Sequence, residues 1–409
     1  MVSVRQDFPH RGLPDVTQAA AKVLAAACLG SAIRRGERIA ITAGSRGIAN
    51  IAIILRAIVD AVRDVGGEPF IVPAMGSHGG ATAEGQLEVL ASYGITEGRM
   101  GAPVISSMET VILGHTEDGV PCYMDRNAAE ADGVILANRV KPHTDFSAPV
   151  ESGLLKMLSI GLGKHVQAQT IHAYGARGLR EYMPRIARRI LDTGKVRGGL
   201  AIVEDSYDDT AHLEWVSPAN MERREPELLR MSSDMMARLP LSQIDLLIVD
   251  RMGKNISGTG MDTNVIGRLC IPGESDPPSP RIRYILACSL TEESHGNALG
   301  IGLADLTTQR LVDKIDYRAM NANVITTSFI ARGAVPIALP NDKAAIDTAI
   351  QCLWGVKPSD AKVVRISDTA HLASIAVSES ALGSLPSHAV PVGAPEEMRF
   401  DEEENLLPM

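Results

Sequence analysis

The sequence predicts an α/β fold made of two domains with mainly parallel sheets. The chain has 409 residues, more than one ordinary hydrophobic core supports, so two domains are expected. Short apolar runs alternate with helical segments, which is the pattern of a parallel sheet covered by helices. Aromatic residues make up only 3% of the chain, so buried strands have to be built from aliphatic side chains, as parallel strands usually are.

The N-terminal half supplies most of this alternation. Aliphatic runs of about six residues, bounded by charged or glycine-rich segments, predict strands, and longer alanine-rich or amphipathic stretches predict helices. In order, the expected elements are helix 16–29, strand 37–42, helix 51–65, strand 68–74, helix 83–92, strand 133–140, helix 174–191, strand 198–205 and helix 222–238.

The alternation begins again after Pro240. The apolar runs that start at Asp245, Ile282 and Lys362 predict strands, and 344–353 predicts a helix. The boundary is best placed near 239–244, which gives an N-terminal catalytic domain of 1–242 and a C-terminal domain of 243–409. The acidic segment 393–409 is expected to lie on the surface.

Composition excludes several classes of function. The net charge is −9 and no Lys/Arg-rich stripe occurs, which argues against a nucleic-acid partner. Five cysteines without a CxxC pair indicate reduced intracellular thiols. No apolar run reaches the roughly 18 residues of a membrane span, and the first residues do not resemble a signal peptide. We therefore expect a cytoplasmic protein, and the sequence leaves its oligomeric state open.

Three loops that follow predicted strands carry reactive side chains: Arg46, His78 and His143. Ligands bind outside the carboxyl ends of the strands in open α/β sheets, so these loops should share one edge. The segment 141–172 adds Lys156 and His172. Taken singly, each residue has an ordinary structural interpretation, such as a surface ion pair or a solvated loop histidine. Their coincidence at one edge predicts an active site.

The residue types suggest a chemistry. An arginine can hold a carboxylate through two hydrogen bonds, and neutral histidines can act as general bases near neutral pH. A further histidine can bind a transition metal, and a lysine in an apolar setting can act as a nucleophile. Carboxylate binding combined with two bases suggests inversion at a carbon atom that carries a hydrogen.

At these residues the sequence resembles the nickel-pincer-dependent lactate racemase family. Ser45-Arg46 matches the family's carboxylate-binding loop, Gly76-Ser77-His78 and Pro142-His143 match its two catalytic bases, and Ser152-Gly153-Leu154-Leu155-Lys156 matches the motif of its cofactor-bearing lysine. The family's nickel ligand lies sixteen residues beyond that lysine, at the position of His172. The matched interval is the most specific point of the resemblance.

The resemblance implies a racemase or epimerase of a small 2-hydroxy acid. Its cofactor would be nickel pyridinium-3-thioamide-5-thiocarboxylate mononucleotide, covalently attached to Lys156 and assembled by cofactor-maturation enzymes. Ser152 and Gly153 would support the cofactor, His172 would bind nickel, and Arg46 would bind substrate. The active site would lie in the cleft between the domains, where Lys254 is the nearest candidate for a second-domain substrate contact. Ala43 and Gly44 stand where the family often has an acidic residue, so the substrate is not fixed by the sequence.

Several alternatives remain open at this stage. Lys164 lies in a glycine-rich GLGKH context and competes with Lys156 as the cofactor-bearing lysine. His295 and Asn297 are weaker candidates for substrate contacts. The same cleft could belong to a cofactor-free protein that binds a carboxylate or phosphate. It could also belong to a zinc or iron hydro-lyase that uses His78, His143 and His172 as metal ligands, although no HxH or HExxH spacing is present.

Overall fold

The computed structural model describes residues 1–45 and 47–409. They form two compact units. The N-terminal unit is His10–Met236, and the C-terminal unit combines Met1–Pro9 with Ala237–Met409. Each unit is built on a mixed sheet in which most neighbouring strands are parallel. The predicted α/β fold class with mainly parallel sheets is confirmed.

The described residues form strands of three to nine residues. In chain order they are β1 Val2–Gln6, β2 Arg38–Ala43, β3 Glu68–Pro73, β4 Thr110–His115, β5 Pro121–Asp125, β6 Gly133–Arg139, β7 Val196–Glu204, β8 Thr210–Val216, β9 Gln243–Val249, β10 Arg281–Ala287, β11 Leu306–Thr308, β12 Ile337–Leu339, β13 Val363–Ile366, β14 Ser374–Val377 and β15 Ala389–Val392.

The α-helices range from short turns to a helix of 15 residues. They are α1 Val16–Ala26, α2 Leu29–Ala32, α3 Ile51–Asp64, α4 Ala83–Ser92, α5 Glu97–Met100, α6 Arg126–Glu130, α7 Leu154–Lys156, α8 Lys164–His172, α9 Gly175–Arg177, α10 Met183–Leu191, α11 Met221–Met235, α12 Thr263–Ile266, α13 Gln309–Val312, α14 Tyr317–Thr327 and α15 Asp342–Gln351. Across the described chain, none combines the length and apolar character that a bilayer crossing requires.

The N-terminal unit is organised around a five-stranded sheet in the order β3-β2-β6-β7-β8. Its first four strands are parallel, and β8 runs antiparallel to β7. Buried aliphatic side chains alternate between two core clusters, because Ala40 and Val134 belong to one cluster and Ile39 and Ile135 to the other. A sheet buried on both faces explains why its strands are continuous apolar runs rather than alternating ones.

The parallel strands set the position of the site. Strands β2, β3 and β6 pair in register, so the loops that begin after Ala43, Pro73 and Arg139 leave the sheet at one edge. This is the edge where open α/β sheets bind ligands. The loop that carries His78 contains a 3₁₀-helical turn at Gly79–Ala81 before α4. The loop after β6 leads into α7, which continues as a π-helical turn over Met157–Gly161.

The C-terminal unit contains an eight-stranded sheet in the order β12-β11-β10-β9-β13-β14-β1-β15. Strand β1 lies between β14 and β15 and pairs antiparallel with both. The predicted ranges of 1–242 and 243–409 assign β1 to the first domain, whereas its hydrogen bonds place it in this sheet. The division between the units falls at Met236 and Ala237.

Most of the acidic tail 393–409 is exposed, as its composition predicts, but Asn405 and Leu406 are buried. The backbone N–H of Leu406 donates to Asp342, and the carbonyl of Leu407 accepts from Arg365. Both partners are themselves buried, so the tail satisfies polar groups that would otherwise lose their solvation.

Candidate active site

Ser45 and His78 bring the loops after β2 and β3 into direct contact. The Ser45 hydroxyl and the His78 Nδ1 form a short hydrogen bond. The Tyr93 hydroxyl donates to the Ser45 carbonyl at 2.8 Å, and the Gln86 side-chain amide donates to the His78 carbonyl at 3.3 Å. The predicted proximity of these two loops is therefore present. Arg46, the predicted carboxylate-binding residue, lies outside the described residues.

His143 is held by the loop that follows β6. Its Nδ1 accepts a hydrogen bond from the Asp145 backbone N–H at 3.0 Å, and its ring lies 4.9 Å from that of Phe146, between centroids. A backbone N–H can only donate, so the neutral His143 ring carries its proton on Nε2. The ring edge that bears Nε2 is thus a hydrogen-bond donor in the resting state.

Two carboxylates lie within the loop that holds His143, and the sequence motifs did not indicate either of them. Glu151 accepts the backbone N–H groups of His143 at 2.6 Å and Ala148 at 2.8 Å. Burial raises the pKa of Glu151, while these N–H donors and the charge of Lys156 act in the opposite direction. The Asp145 carboxylate is also buried, and its Oδ2 lies 3.8 Å from His143 Nδ1. An acidic residue inside the apolar run before Ser152-Gly153 is the sequence signal that could have indicated Glu151.

The predicted Ser-Gly-x-x-Lys motif forms the start of α7. Backbone hydrogen bonds between Lys141 and Ser152 tie its beginning to the end of β6. The Asn138 side chain donates to the Gly153 carbonyl at 2.8 Å. The Lys156 amine lies 3.4 Å from the Ser152 hydroxyl. Lys156 is partly buried, and Leu154, Leu155, Met157 and Leu158 around it are buried.

Close backbone approaches join the lysine segment to the loops after β2 and β3. A Cβ atom on Gly44 would lie 3.2 Å from the Met157 side chain, and one on Gly76 would lie 3.2 Å from the Ile160 side chain. The Gly76 N–H also donates to the Gly161 carbonyl at 3.3 Å. Glycine at these positions lets the strand-end loops pack against the π-helical turn that follows Lys156.

His172 lies at the end of α8 and is partly buried. Burial lowers the pKa of His172; the positive charge of Lys156 acts in the same direction, and the negative charge of Asp145 opposes it. Its Nδ1 is buried and has no hydrogen-bond partner within the described part of the chain. A neutral imidazole with an unsatisfied buried nitrogen is suited to binding a metal ion or another ligand.

Lys164, the rival lysine, has a structural role. Its amine donates to the Pro73 carbonyl at 2.5 Å and to Gln86 at 3.2 Å, and it lies 3.2 Å from the Asp125 carboxylate. The side chain is fully buried, and burial lowers its pKa while Asp125 opposes the shift. Three acceptors already surround the three ammonium hydrogens, which ties α8 to the end of β3 and to the start of α6.

Comparison with known protein families adds a finding to this geometry. Residues 10–177 match the model of the lactate racemase N-terminal domain family. Over that range the chain is similar to this family. The resemblance predicted from the sequence motifs is confirmed, and the matched range contains every site residue named so far in the loops after β2, β3 and β6.

A solved structure extends the likeness to the fold of most of the chain. The lactate racemase apoprotein from Thermoanaerobacterium thermosaccharolyticum matches with a TM-score of 0.55 and covers 90% of this chain and 98% of that chain. The sequence identity is 12%, so the match concerns the fold. No curated protein matches the sequence significantly.

Lys254, the predicted contact from the second domain, lies beyond residues 10–177, the range that matches the family model. It follows β9 in the C-terminal unit, where its amine donates to Asn323 at 3.0 Å and to the Gly258 carbonyl at 3.2 Å. His295 is exposed, and the Asn297 side chain accepts the Leu299 N–H at 3.2 Å. A role of Lys254 in substrate binding stays a prediction, as does the placement of the active site between the domains.

A three-histidine metal site in this lactate racemase-like domain receives no support. Within residues 1–45 and 47–409, the group of metal-ligating side chains that come together is His10, Asp205 and Asp209, and it contains none of His78, His143 and His172. The two nitrogens of His10 face different carboxylates, each at 3.4 Å. This is the geometry of a histidine bridging two acidic groups rather than of three ligands aimed at one ion. The zinc or iron hydro-lyase is accordingly not favoured.

Proposed function

We propose that this protein is a racemase or epimerase of a small 2-hydroxy acid and that it uses the nickel-pincer nucleotide. The match to the lactate racemase N-terminal domain supports the reaction class. The observation that carries the proposal is local: His78, His143, Lys156 and His172 all belong to segments packed at one edge of the sheet. A cofactor-free binding protein would not need a neutral histidine with a buried, unsatisfied nitrogen near a lysine.

The residues present fit the cofactor. Nickel requires a neutral imidazole, and the burial that lowers the pKa of His172 favours that state near neutral pH. The buried Nδ1 of His172 has no partner within the described residues, so a ligand would satisfy it. Lys156 would carry the nucleotide through an amide, with Ser152 and Gly153 beside it. When bound, the group would supply the acceptor and donor for the α-hydrogen of the substrate.

The protein's own task is to orient the substrate and move one proton. Arg46 would hold the substrate carboxylate through its guanidinium fork. His143 would present Nε2–H to the substrate oxygen, since its Nδ1 is engaged by the Asp145 N–H. If His78 Nδ1–H donates its hydrogen bond to the Ser45 hydroxyl, His78 Nε2 carries a lone pair and would accept a proton from the substrate. The two neutral histidines would thus begin turnover as different tautomers, with His78 Nε2 able to accept the hydroxyl proton and His143 Nε2–H donating a hydrogen bond to the substrate oxygen.

The test is a stereochemical assay in heavy water. The protein, co-expressed with cofactor-maturation enzymes, would be given a panel of single enantiomers of 2-hydroxy acids. We expect inversion of at least one acid without deuterium at the α-carbon, because the α-hydrogen would not exchange with solvent. Inversion with full incorporation of deuterium would instead indicate simple deprotonation and contradict the proposed mechanism. Absence of inversion, in matured protein that carries nickel, would contradict the proposed reaction class.

A further inference from the structure

We infer that Glu225 is a positioning residue that fixes the turn bearing Lys156. The inference rests on the proposed function for the purpose of Lys156, although the geometry itself is independent of it. Glu225 lies on α11, far along the chain from Lys156, and only 1% of its surface is exposed. Neither the motifs nor the family resemblance draws attention to it, since it is one acidic residue in a charged helix.

The carboxylate of Glu225 caps the beginning of α7. Its Oε2 accepts the Leu155 N–H at 2.9 Å, and the Leu154 N–H also donates to the carboxylate. These are N–H groups that the first turn of a helix cannot satisfy internally. Capping them fixes the direction in which the helix starts, and Lys156 is the next residue along that turn.

Gly153 is what allows the carboxylate to approach this closely. A Cβ atom at residue 153 would lie 2.4 Å from Glu225 Oε1 and 2.5 Å from its carboxyl carbon. Residue 153 has extended backbone angles, so glycine is required there by space and not by conformation. Gly153 and Glu225 therefore form one packing unit. The carboxylate can reach the N–H groups of α7 only if residue 153 has no side chain.

The buried Glu225 carboxylate is better suited to positioning the start of α7 than to stabilising the fold. Its Oε1 has no hydrogen-bond partner within the described residues, which is costly in a buried setting. A glutamate at this site stabilises the fold less than a well-packed apolar residue could. What it supplies is a fixed origin for the Lys156 side chain, whose amine lies near the Ser152 hydroxyl at 3.4 Å.

The first arm of the test examines the coupling between residues 153 and 225. Gly153→Ala, Glu225→Ala and the double variant would be compared by thermal unfolding. We expect Gly153→Ala alone to lower the Tm by several degrees. In the Glu225→Ala background the same change should cause little or no further loss, because the carboxylate that it would meet is gone. Equal losses from Gly153→Ala in both backgrounds would overturn the inference.

The second arm measures how accessible the Lys156 amine is in the protein without cofactor. Apoprotein would be acylated briefly with acetyl N-hydroxysuccinimide ester, and the labelling of Lys156 relative to the exposed Lys357 would be measured by peptide mass spectrometry. We expect Glu225→Ala to raise this ratio at least threefold, since the amine would leave its partly buried position. Glu225→Gln keeps an acceptor oxygen and should retain the wild-type ratio. If Glu225→Ala proves unstable, the double variant replaces it.

The third arm measures the occupancy of Lys156 by intact mass after co-expression with maturation enzymes. We expect at least a fivefold lower adduct yield in Glu225→Ala, at least half of the wild-type yield in Glu225→Gln, and an unchanged yield in Glu222→Ala. Glu222 is the matched control, because it lies on the same helix but pairs at the surface with Arg188. Wild-type labelling and yield in Glu225→Ala, or a Glu225→Gln variant as defective as Glu225→Ala, would overturn the inference. If wild-type protein carries no adduct, the proposed function fails while the first two arms still decide the role of Glu225.

Discussion

The two lysines of the 156–164 segment differ in what surrounds their charge. Lys156 is partly buried near the Ser152 hydroxyl, whereas Lys164 is fully buried against Asp125 and two further acceptors. The sequence placed both in glycine-rich contexts and could not separate them by environment. The structure separates them because burial with a complete set of acceptors is the mark of a structural charge.

Lys156→Ala should therefore abolish activity with little effect on stability, whereas Lys164→Ala should mainly lower stability. Removing Lys156 should change the free energy of unfolding by about 1 kcal/mol or less while abolishing activity. Removing Lys164 leaves the buried Asp125 without its cation and should cost about 3–5 kcal/mol. Urea unfolding of both apoproteins checks this directly. A strongly destabilised Lys156→Ala protein and a stable Lys164→Ala protein would reverse the assignment.

Glu225 should also make stability depend on pH. Burial raises its pKa from 4.5 to about 7, so the folded state binds its proton more tightly than the unfolded state. The stabilisation that this group contributes is fully present below about pH 4.5 and is lost as the pH rises through about 7. The shift corresponds to about 3 kcal/mol.

The Glu225→Gln variant isolates this effect from all other titrating groups. Relative to wild type, it should gain stability between pH 5 and pH 8 by about 2–3 kcal/mol, because the amide does not ionise. Urea unfolding at both pH values gives the comparison. An equal difference between the two proteins at pH 5 and pH 8 would mean that Glu225 keeps an ordinary pKa.

Site residues were predictable where a motif fixes their type and spacing. His78, His143, Lys156 and His172 were proposed from the strand ends and the family resemblance, and the structure brings their segments together. Their catalytic roles stay predictions. Asp145, Glu151 and Glu225 were missed, and Glu225 leaves no local pattern because the N–H groups that it satisfies are distant in sequence. Glu225 is 70 residues from its partner Leu155.

At the scale of elements, the long apolar strands and helices of the N-terminal unit were predicted well. The predicted helix 83–92 coincides with α4 Ala83–Ser92, and strand 68–74 differs from β3 Glu68–Pro73 by one residue. The predicted helix 16–29 ends early at α1, because Cys28 adopts a left-handed backbone conformation with φ of 51°. The predicted helix 174–191 is divided by a π-helical turn at Gly178–Tyr182.

Strands that alternate or lie near an edge escaped prediction. β8 Thr210–Val216 mixes buried and half-buried positions and runs antiparallel to β7 at the edge of the sheet. β8 packs closely against β7, and a local stretch of sequence does not reveal this contact. Gly198 of β7 has a φ of 151°, and a Cβ atom there would lie 2.2 Å from the Trp215 ring of β8.

Gly198→Ala should consequently disrupt the β7–β8 pair. The added methyl group meets a tryptophan ring and the backbone angle disfavours any side chain, so we expect a loss of about 2–5 kcal/mol. Gly98→Ala is the matched control, because a Cβ atom there meets nothing within 4 Å, and it should change stability by about 1 kcal/mol or less. Denaturant unfolding measures both. A Gly198→Ala protein as stable as Gly98→Ala would contradict the packing described for β7 and β8.

For the whole molecule, the first strand of the chain belongs to the last sheet. Val2 and Val4 of β1 are 1% exposed, and the strand separates β14 from β15. A sequence pattern indicates that a segment is a strand but not which sheet receives it, since pairing over 370 residues depends on the tertiary fold. This is the physical reason that residues 1–9 were assigned to the N-terminal domain.

Deletion of residues 1–9 should therefore weaken the C-terminal unit and spare the N-terminal one. Losing the burial of two valines alone costs about 3–6 kcal/mol, and β14 and β15 also lose their shared hydrogen-bond partner. Hydrogen exchange followed by mass spectrometry should show lost protection at Ser374–Val377 and Ala389–Val392 with β2 and β3 unchanged. Deprotection centred on β2 and β3 would contradict the division into units.

The central claim is that Lys156 carries the nickel-pincer nucleotide and that His172 binds its metal. The most direct measurement is peptide mass mapping combined with nickel analysis of the protein co-expressed with maturation enzymes, alongside Lys156→Ala and His172→Ala. The account predicts a nucleotide adduct on Lys156 with close to one nickel per chain, no adduct in Lys156→Ala, and an adduct that has lost most of its nickel in His172→Ala. A wild-type Lys156 peptide of unmodified mass, or a nickel content that does not depend on His172, would contradict it.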